Sequence, residues 1–297
     1  MLTWVQSIVM GILQGVTELF PVSSLGHSVV IPSLIPGWHG LARAQSQPES
    51  FFLAFLVALH VGTALALVLF FRREWVRIVG GFFRTIGKRR IETNDERLAW
   101  LLIVATIPAG ITGVVFEHLF RTVFAKALAA SVFLFVNGLI MLAGERVRKR
   151  AEVKAVALRH GTYEGSDFRR LDTLEFREAG VIGVSQVFAL LAGISRSGIT
   201  MVAGLVRGLD HEDAARFSFL LATPIILAAG VYKLPDLLGP LGDGIRTKAL
   251  VGGIAAGVTA YFSVKFLVRY FEVRTLTPFG IYCLLVGAAL IVRFAAF

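Results

Sequence analysis

The sequence contains few charged residues for its length. Only 17% of its 297 residues are Asp, Glu, Lys or Arg, whereas a soluble domain carries about 25%. Hydrophobic residues make up 56%, and the mean hydropathy is +0.73. The apolar residues form continuous runs about as long as a bilayer is thick, without the alternation that marks a transmembrane barrel. We therefore predict a polytopic helical membrane protein with no separate soluble domain.

Cysteine is also scarce, and the N-terminal region lacks positive charge. The single cysteine, Cys283, lies in an apolar run and excludes an internal disulfide framework. The first basic residue is Arg43, so the positive segment that precedes the apolar core of a signal peptide is missing. We expect no cleaved leader and an N-terminus on the outer side of the membrane.

Six apolar runs have the length of a membrane span. The predicted spans are 51–71, 98–116, 127–143, 217–232, 249–268 and 276–292. Two further apolar regions, 1–35 and 179–206, are interrupted by polar, glycine-containing turns. Irregular backbone at membrane depth is tolerated only where protein or a wet cavity surrounds it. These two regions are therefore predicted to be re-entrant hairpins.

The two interrupted regions align with each other at a constant offset of 172 residues. The matched pairs are Gly11 and Gly183, Gln14 and Gln186, Ser23 and Ser195, and Gly26 and Gly198. The offset divides a single membrane domain, 1–297, into two units of about 1–144 and 179–297, each a hairpin followed by three spans. Three spans change sides of the membrane, so the second hairpin enters from the opposite face. The expected fold is an all-α integral membrane inverted repeat, with the binding site where the repeats meet.

The net charge of +10 comes largely from two connections between spans. Residues 72–97 hold eight Lys or Arg, and residues 145–178 hold nine. Such a bias indicates cytoplasmic loops and contact with anionic lipid, rather than nucleic-acid binding. Residues 145–178 are accordingly predicted to form a basic cytoplasmic loop.

The first interrupted region contains a dense polar cluster, QGVTELFPVSSLGH at 14–27. Gln14 and Glu18 are four residues apart and share one face of a helix that Pro21 ends. The turn that follows offers hydroxyl and backbone N–H groups, and it leads to His27. Polar and ionisable groups are costly at membrane depth, which makes this cluster a candidate functional site. The turn residues are Ser23, Ser24 and Gly26.

The second interrupted region has the same design but carries an arginine, in GISRSGIT at 193–200. A guanidinium can bind phosphate oxygens in a bidentate manner, and glycines let backbone amides approach an anion at a helix N-terminus. The predicted phosphate-binding residues are Arg196, Ser195, Ser197, Gly198 and Thr200. A carboxylate, an imidazole, hydroxyls and an arginine together fit phosphoryl transfer or phosphoanhydride hydrolysis.

Each of these residues also has a structural interpretation, which the sequence leaves open. Glu18 and Arg196 could form a structural ion pair. The serines could serve as helix caps, and His27 as a hydrogen-bonded buried histidine. His60, within an apolar run, has no assigned role.

The two motifs resemble those of the bacterial undecaprenyl-pyrophosphate phosphatase family associated with bacitracin resistance. The resemblance covers nearly the whole chain in segment order. It implies a multi-pass enzyme of the bacterial cytoplasmic (inner) membrane that removes the terminal phosphate of a C55 polyprenyl pyrophosphate. It also implies re-entrant loops in an inverted repeat and an active site open to the outer face.

By this resemblance, Glu18, Ser24, His27 and Arg196 match catalytic positions, and Ser24 matches a serine proposed as the nucleophile. Gln14 stands where many members have a second glutamate, which makes it a supporting hydrogen-bonding residue. Ser23 and Gly26 join Gln14 and residues 195–200 in the predicted substrate site. Leu56 and His60 stand where some members have an acidic residue and a glutamine.

The expected function is hydrolysis of undecaprenyl pyrophosphate to undecaprenyl phosphate, in recycling of the lipid carrier for the cell wall. A transporter or scramblase of polyprenyl lipid is the alternative, because inverted repeats with broken helices also typify transporters. Expected partners are the polyprenyl pyrophosphate and bilayer lipid, with a homodimer left open and no nucleic acid. A divalent cation, Mg²⁺ or Ca²⁺, could be held at Glu18. No organic cofactor is expected.

Overall fold

The computed structural model describes residues 2–45, 50–116, 119, 126–158 and 169–296. Within these ranges the chain is helical apart from turns and one isolated bridge, between Arg169 and Leu209. Met1 and residues 159–168, which the predicted first repeat and basic loop include, lie outside the described residues.

Twelve helices are present in the described ranges. They are α1 (Trp4–Thr17), α2 (Ser24–Leu34), α3 (His39–Gln45), α4 (Phe51–Phe70), α5 (Arg72–Lys88), α6 (Asn94–Val115), α7 (Ala127–Leu158), α8 (Phe176–Ser185), α9 (Arg196–Val206), α10 (His211–Leu238), α11 (Arg246–Phe271) and α12 (Thr277–Ala296). Short 3₁₀ turns occupy Leu171–Thr173, Gln186–Leu190 and Pro240–Gly242.

Six of these helices are long and apolar enough to cross a membrane, namely α4, α6, α7, α10, α11 and α12. Each has at least 20 residues, and about 20 suffice to span the hydrocarbon core. The prediction of an all-helical membrane protein with six such helices is confirmed.

The two interrupted regions contain shorter helices. α1 has 14 residues and extends about 21 Å, less than the roughly 30 Å of the hydrocarbon core. α2 and α9 have 11 residues each, and α8 has 10. The first chain reversal follows Pro21, which cannot continue a helix, and the second contains Gly193 with a φ of 113°. The turns thus lie where the sequence predicted them.

The two basic connections contain more helix than their charge alone suggested. α5 forms a 17-residue helix between the first two long helices. α7 continues beyond residue 143 to Leu158, so the first part of the second basic connection is helical. Lys and Arg are good helix formers, so a high content of basic residues does not distinguish a loop from a helix.

Helix packing joins distant parts of the chain. α7 packs along α12, α4 contacts both α10 and α11, α1 lies against α11, and α8 lies against α6. Glycines make two of these approaches close: a Cβ on Gly11 would lie 2.3 Å from the carbonyl oxygen of Gly252, and one on Gly183 would lie 2.5 Å from that of Ala105. Small residues of this kind bring membrane helices together, and here they bring both polar turns into the interior.

Candidate functional site

The two polar turns meet through the serine that caps α2. The Ser23 side chain accepts hydrogen bonds from the backbone N–H of Gly26, at 3.2 Å, and of Gly193 in the other turn, at 3.1 Å. Ser23 has a φ of 71°, a conformation that residues other than glycine rarely adopt. The two hydrogen bonds hold this backbone in place and fix the distance between the turns.

The second turn is capped in the same way. Ser195 Oγ accepts from the backbone N–H of Gly198 at 3.1 Å, and the Ser195 N–H donates to Asn137 Oδ1 at 3.0 Å. Asn137 also donates to the carbonyl of Pro21 at 3.1 Å, so one side chain of α7 contacts both turns. The matched serines, Ser23 and Ser195, are therefore both helix caps as well as members of the candidate site.

An ion pair crosses between the turns. Arg196 Nη2 donates to Glu18 Oε1 at 2.9 Å, and Nη1 donates to the carbonyl of Ser218 at 3.2 Å. Glu18 is 7% exposed, so the carboxylate is largely removed from water. A buried carboxylate needs charged and hydrogen-bonding partners, and Arg196 supplies the charge.

The other oxygen of Glu18 gathers three polar side chains. Ser24 Oγ donates a short hydrogen bond to Oε2, and Gln14 Nε2 donates to the same atom at 3.1 Å. His60 Nε2 lies 3.3 Å from Oε2, while its Nδ1 is 2.8 Å from the carbonyl of Leu56. Because carbonyl and carboxylate oxygens only accept hydrogen bonds, this contact pattern favours an N–H on each ring nitrogen of His60.

His27 lies on a different side of the first turn. Its Nδ1 is 2.7 Å from the carbonyl of Ser23, and its Nε2 is 2.9 Å from the hydroxyl of Tyr282. Both ring nitrogens are therefore engaged with groups other than Glu18 and Ser24. These contacts are those of a hydrogen-bonded buried histidine, and the predicted catalytic role of His27 stays a prediction.

A cavity of about 230 Å³ lies between the turns. Five of the predicted site residues line it, namely Glu18, Ser23, Ser24, Ser195 and Arg196, together with His60 and Gln186. Apolar side chains of α2, α4, α6 and α10 and of residues 189–194 complete the wall. A pocket of this composition, apolar with a few convergent polar groups, suits the charged head of an amphipathic ligand.

The remaining predicted residues lie behind this wall. Gln14 supports Glu18, as described, and Gly26 approaches Gly193, whose Cα would be 2.9 Å from a Cβ at position 26. Ser197 Oγ is 3.0 Å from Ser195 Oγ, and Gly198 donates to the same serine. Thr200 Oγ1 lies 2.7 Å from Ser218 Oγ. These residues shape the second turn from inside the protein.

Two helix N-termini face this region. α2 begins at Ser24 and α9 begins at Arg196, and both residues line the cavity. The first amides of a helix have no intrahelical partner, and the helix dipole favours negative charge at that end. Together with Arg196, these N-termini provide an environment for a phosphate group.

Several residues that support the site lie outside the two sequence motifs. His60 contacts Glu18, Asn137 bridges the turns, Tyr282 contacts His27, and Ser218 contacts both Arg196 and Thr200. The available signal was a polar side chain inside a long apolar run, which is costly unless it has a partner.

The described residues contain no cluster of three or more His, Cys, Asp or Glu suited to a metal ion. Among the residues that line the cavity, Glu18 is the one carboxylate, and Arg196 already contacts it. This donor set does not fit a metal site built by the protein alone, because Mg²⁺ and Ca²⁺ require several oxygen ligands.

The chain is similar to known proteins over nearly its whole length. The family model described as bacitracin resistance protein BacA matches residues 7–289. Undecaprenyl-diphosphatase 2 of Frankia alni is 55% identical, with 99% of this chain and 98% of that protein covered. Undecaprenyl-diphosphatase of Mycolicibacterium paratuberculosis is 56% identical over the same shares, and undecaprenyl-diphosphatase 2 of Chromobacterium violaceum is 44% identical, covering 95% of this chain and 96% of that protein. Because the family model matches nearly the whole sequence and these relatives are covered almost end to end, the chain belongs to the bacitracin resistance protein BacA family.

Proposed function

We propose that this protein hydrolyses undecaprenyl pyrophosphate to undecaprenyl phosphate and inorganic phosphate, which returns the lipid carrier to cell-wall synthesis and confers resistance to bacitracin. The observation that carries the proposal is the group formed by Ser24, Glu18 and Arg196 at one cavity. A nucleophile, a base and a phosphate-binding cation are thereby within contact of one another. The relatives named undecaprenyl-diphosphatase give the substrate.

In the proposed mechanism, Ser24 Oγ attacks the terminal phosphorus and Glu18 Oε2 accepts the hydroxyl proton. The bond from that phosphorus to the bridging oxygen breaks, and undecaprenyl phosphate leaves as an anion. Glu18 passes this proton to the departing undecaprenyl phosphate and is thereby a carboxylate again. It then takes a proton from the water that attacks the phosphoserine and returns it to Ser24 Oγ as the bond from phosphorus to Oγ breaks, which releases inorganic phosphate. Direct attack by water activated by Glu18 is the variant of this scheme that needs no covalent intermediate.

Arg196 and the two helix N-termini bind the phosphates and stabilise the negative charge of the transition state. His60 positions the Glu18 carboxylate, and His27 holds the first turn. Glu18 is the one residue of the cavity lining that would contact a divalent cation held by the pyrophosphate, and such a cation would supply charge neutralisation.

The polyprenyl tail needs an apolar path out of the cavity. Val57 of α4 lines both the cavity and a larger groove of about 600 Å³ between α4, α10 and α11. The groove is almost entirely apolar and contains Leu65, Leu69 and Ile254. We infer that the tail passes Val57 and lies in this groove, in contact with bilayer lipid.

We further propose that the two interrupted regions are re-entrant hairpins of an inverted repeat. Their short helices and capped turns support this arrangement, as do exchanged contacts between the halves. Gly11 packs α1 against α11 in the second half, and its counterpart, Gly183, packs α8 against α6 in the first half. A two-fold relation between the repeats produces this kind of exchange.

The cavity is proposed to open toward the outer face of the cytoplasmic membrane. α4 contributes residues 53–60 and α10 contributes residues 225–229, in each case from the half of the helix remote from the basic connections. By the positive-inside rule those connections are cytoplasmic. The cavity would then lie toward the opposite side.

The test is phosphate release from undecaprenyl pyrophosphate by the purified protein in detergent. Glu18→Gln and Arg196→Ala should each lower kcat by about 100-fold or more, because each removes a group that acts on the reacting phosphate. Glu272→Gln, at the exposed end of α11, is the matched control and should retain activity. Full activity of both site variants, or lipid movement across a vesicle without phosphate release, would refute the mechanism.

A further inference from the structure

Helix α5 begins at the edge of the membrane. Phe71 is the one residue between the end of α4 at Phe70 and the start of α5 at Arg72. α4 is an apolar span of 20 residues, so its end lies near the boundary between hydrocarbon and headgroups. α5 therefore starts where lipid headgroups are found.

One face of α5 is fixed against the helical bundle. Ile78, Gly81 and Thr85 are buried at helical spacing. Thr85 Oγ1 accepts a hydrogen bond from Trp100 Nε1 of α6 at 2.9 Å, and Arg216 of α10 donates to Glu74 at 2.8 Å. These contacts fix the orientation of α5 about its own axis, so its other faces have defined directions.

A second face is apolar and exposed. Val76, Val79, Phe83 and Ile86 recur at intervals of three and four residues and are 74%, 45%, 65% and 53% exposed. Such spacing places all four side chains on one side of the helix. A continuous apolar face on a helix that leaves a membrane span requires a cover other than water.

A third face is basic. Arg73, Arg77, Arg84 and Lys88 also recur at intervals of four and seven residues, beside the apolar face. Arg77, Arg84 and Lys88 pair with Asp95, Glu96 and Glu92 at 3.4, 3.3 and 2.7 Å, yet each stays more than half exposed. Exposed ion pairs are weak, and residues 72–97 contain eight Lys or Arg against four Asp or Glu. The excess is available to anionic headgroups.

We propose that α5 is an interfacial helix that binds the anionic lipid surface of the leaflet on the basic side of the protein. Val76, Val79, Phe83 and Ile86 enter the boundary between headgroups and acyl chains, and Arg73, Arg77, Arg84 and Lys88 contact lipid phosphates. An apolar face beside a basic one is the pattern of helices that lie in the membrane plane.

The first test measures depth. In a Cys283→Ser background, a nitroxide is attached at Val76→Cys, Phe83→Cys or Arg84→Cys, and the full-length protein is placed in vesicles of phosphatidylcholine and phosphatidylglycerol. Oxygen should enhance the spin relaxation of the labels at positions 76 and 83, and a water-soluble relaxation agent should not. The label at position 84 should be accessible to the water-soluble agent. Equal exposure of all three labels to the aqueous agent would place this face in water and overturn the proposal. Protection of positions 76 and 83 from both oxygen and the aqueous agent would also overturn it and would favour a protein partner for this face.

The second test measures lipid choice. Spin-labelled phosphatidylglycerol and phosphatidylcholine are compared for association with the protein. Arg73→Gln combined with Arg84→Gln should reduce the preference for phosphatidylglycerol at least about threefold. Lys126→Gln combined with Lys248→Gln removes the same charge far from α5 and should leave the preference nearly unchanged. Equal effects of the two double variants would mean that the net charge of the protein alone determines the lipid preference. That result would overturn a specific role for α5.

Discussion

Glu18 uses both carboxylate oxygens, and its contact with His60 is one that the sequence motifs did not predict. His60 Nε2 lies 3.3 Å from Oε2, and the carbonyl of Leu56 fixes the opposite side of the ring. A hydrogen bond to a buried carboxylate holds its rotamer and thereby the direction in which it accepts a proton.

We expect His60→Leu to lower kcat about tenfold or more, with little change in KM, because the lost contact orients the base rather than the substrate. His60→Gln keeps an N–H donor and should recover most of the activity. Steady-state kinetics with undecaprenyl pyrophosphate gives both values, and thermal unfolding checks that the variants remain folded. A glutamine variant as slow as the leucine variant would argue against positioning through a hydrogen bond.

At the residue scale, local sequence predicted some side chains well and others poorly. The serine–glycine turns and the end of α1 near Pro21 follow from short motifs. The ion pair of Glu18 with Arg196 was one of the interpretations that the sequence left open, and it depends on the packing of residues 178 positions apart. The direction of His27 does not, because it depends on Ser23 and on Tyr282, which is 255 residues away. His60 likewise meets Glu18 only after α4 packs beside the first turn, and no local pattern specifies that contact.

At the scale of helices, two matched glycines determine how closely α1 and α8 approach the helices of the other half of the chain. Gly11 faces the carbonyl of Gly252 and Gly183 faces that of Ala105, and neither site has room for a methyl group. Sequence alignment at the 172-residue offset identified the pair, but not the helices that they contact. That information is long-range and comes from the packed fold.

We expect Gly11→Ala and Gly183→Ala each to destabilise the protein by about 1–3 kcal/mol, since the added Cβ would displace a neighbouring backbone. Gly80 of α5 has open space around it, so Gly80→Ala should be neutral or slightly stabilising. Thermal unfolding in detergent compares the three variants. Equal melting temperatures for Gly11→Ala and Gly80→Ala would contradict the close approach of α1 and α11.

At the scale of the whole molecule, the hydrogen bonds of Arg169 connect the start of α8 to the end of α9, outside the long helices. Arg169 forms a bidentate pair with Glu178, at 2.6 and 2.9 Å, and donates to the carbonyl of Arg207 at 3.2 Å. The hydrogen bonds from Arg169 lower the pKa of Glu178 below its ordinary value. A titratable contact thus links the start of α8 to the end of α9.

The sign of the pH dependence follows from this lowered pKa. Glu178 contributes stability at pH values above its unfolded pKa, about 4.3, and the contribution is lost as pH falls through the lower, folded pKa. The melting temperature of the wild type should therefore fall more steeply in acid than that of Arg169→Gln, and the two curves should converge. If the melting temperatures of the two proteins fell in parallel between neutral and acidic pH, the pair of Arg169 and Glu178 would contribute no pH-dependent stability.

The ion pair between Glu18 and Arg196 has a consequence for the timing of the proposed reaction. In the free protein the cation that should receive the pyrophosphate is neutralised by the carboxylate that should act as base. A bound pyrophosphate offers Arg196 a new anionic partner, so the arrival of substrate weakens the hold of Arg196 on Glu18. Substrate binding and the release of Glu18 for catalysis then occur together, when Arg196 exchanges Glu18 for the pyrophosphate. Without a bound diphosphate, the Glu18 carboxylate stays paired with Arg196.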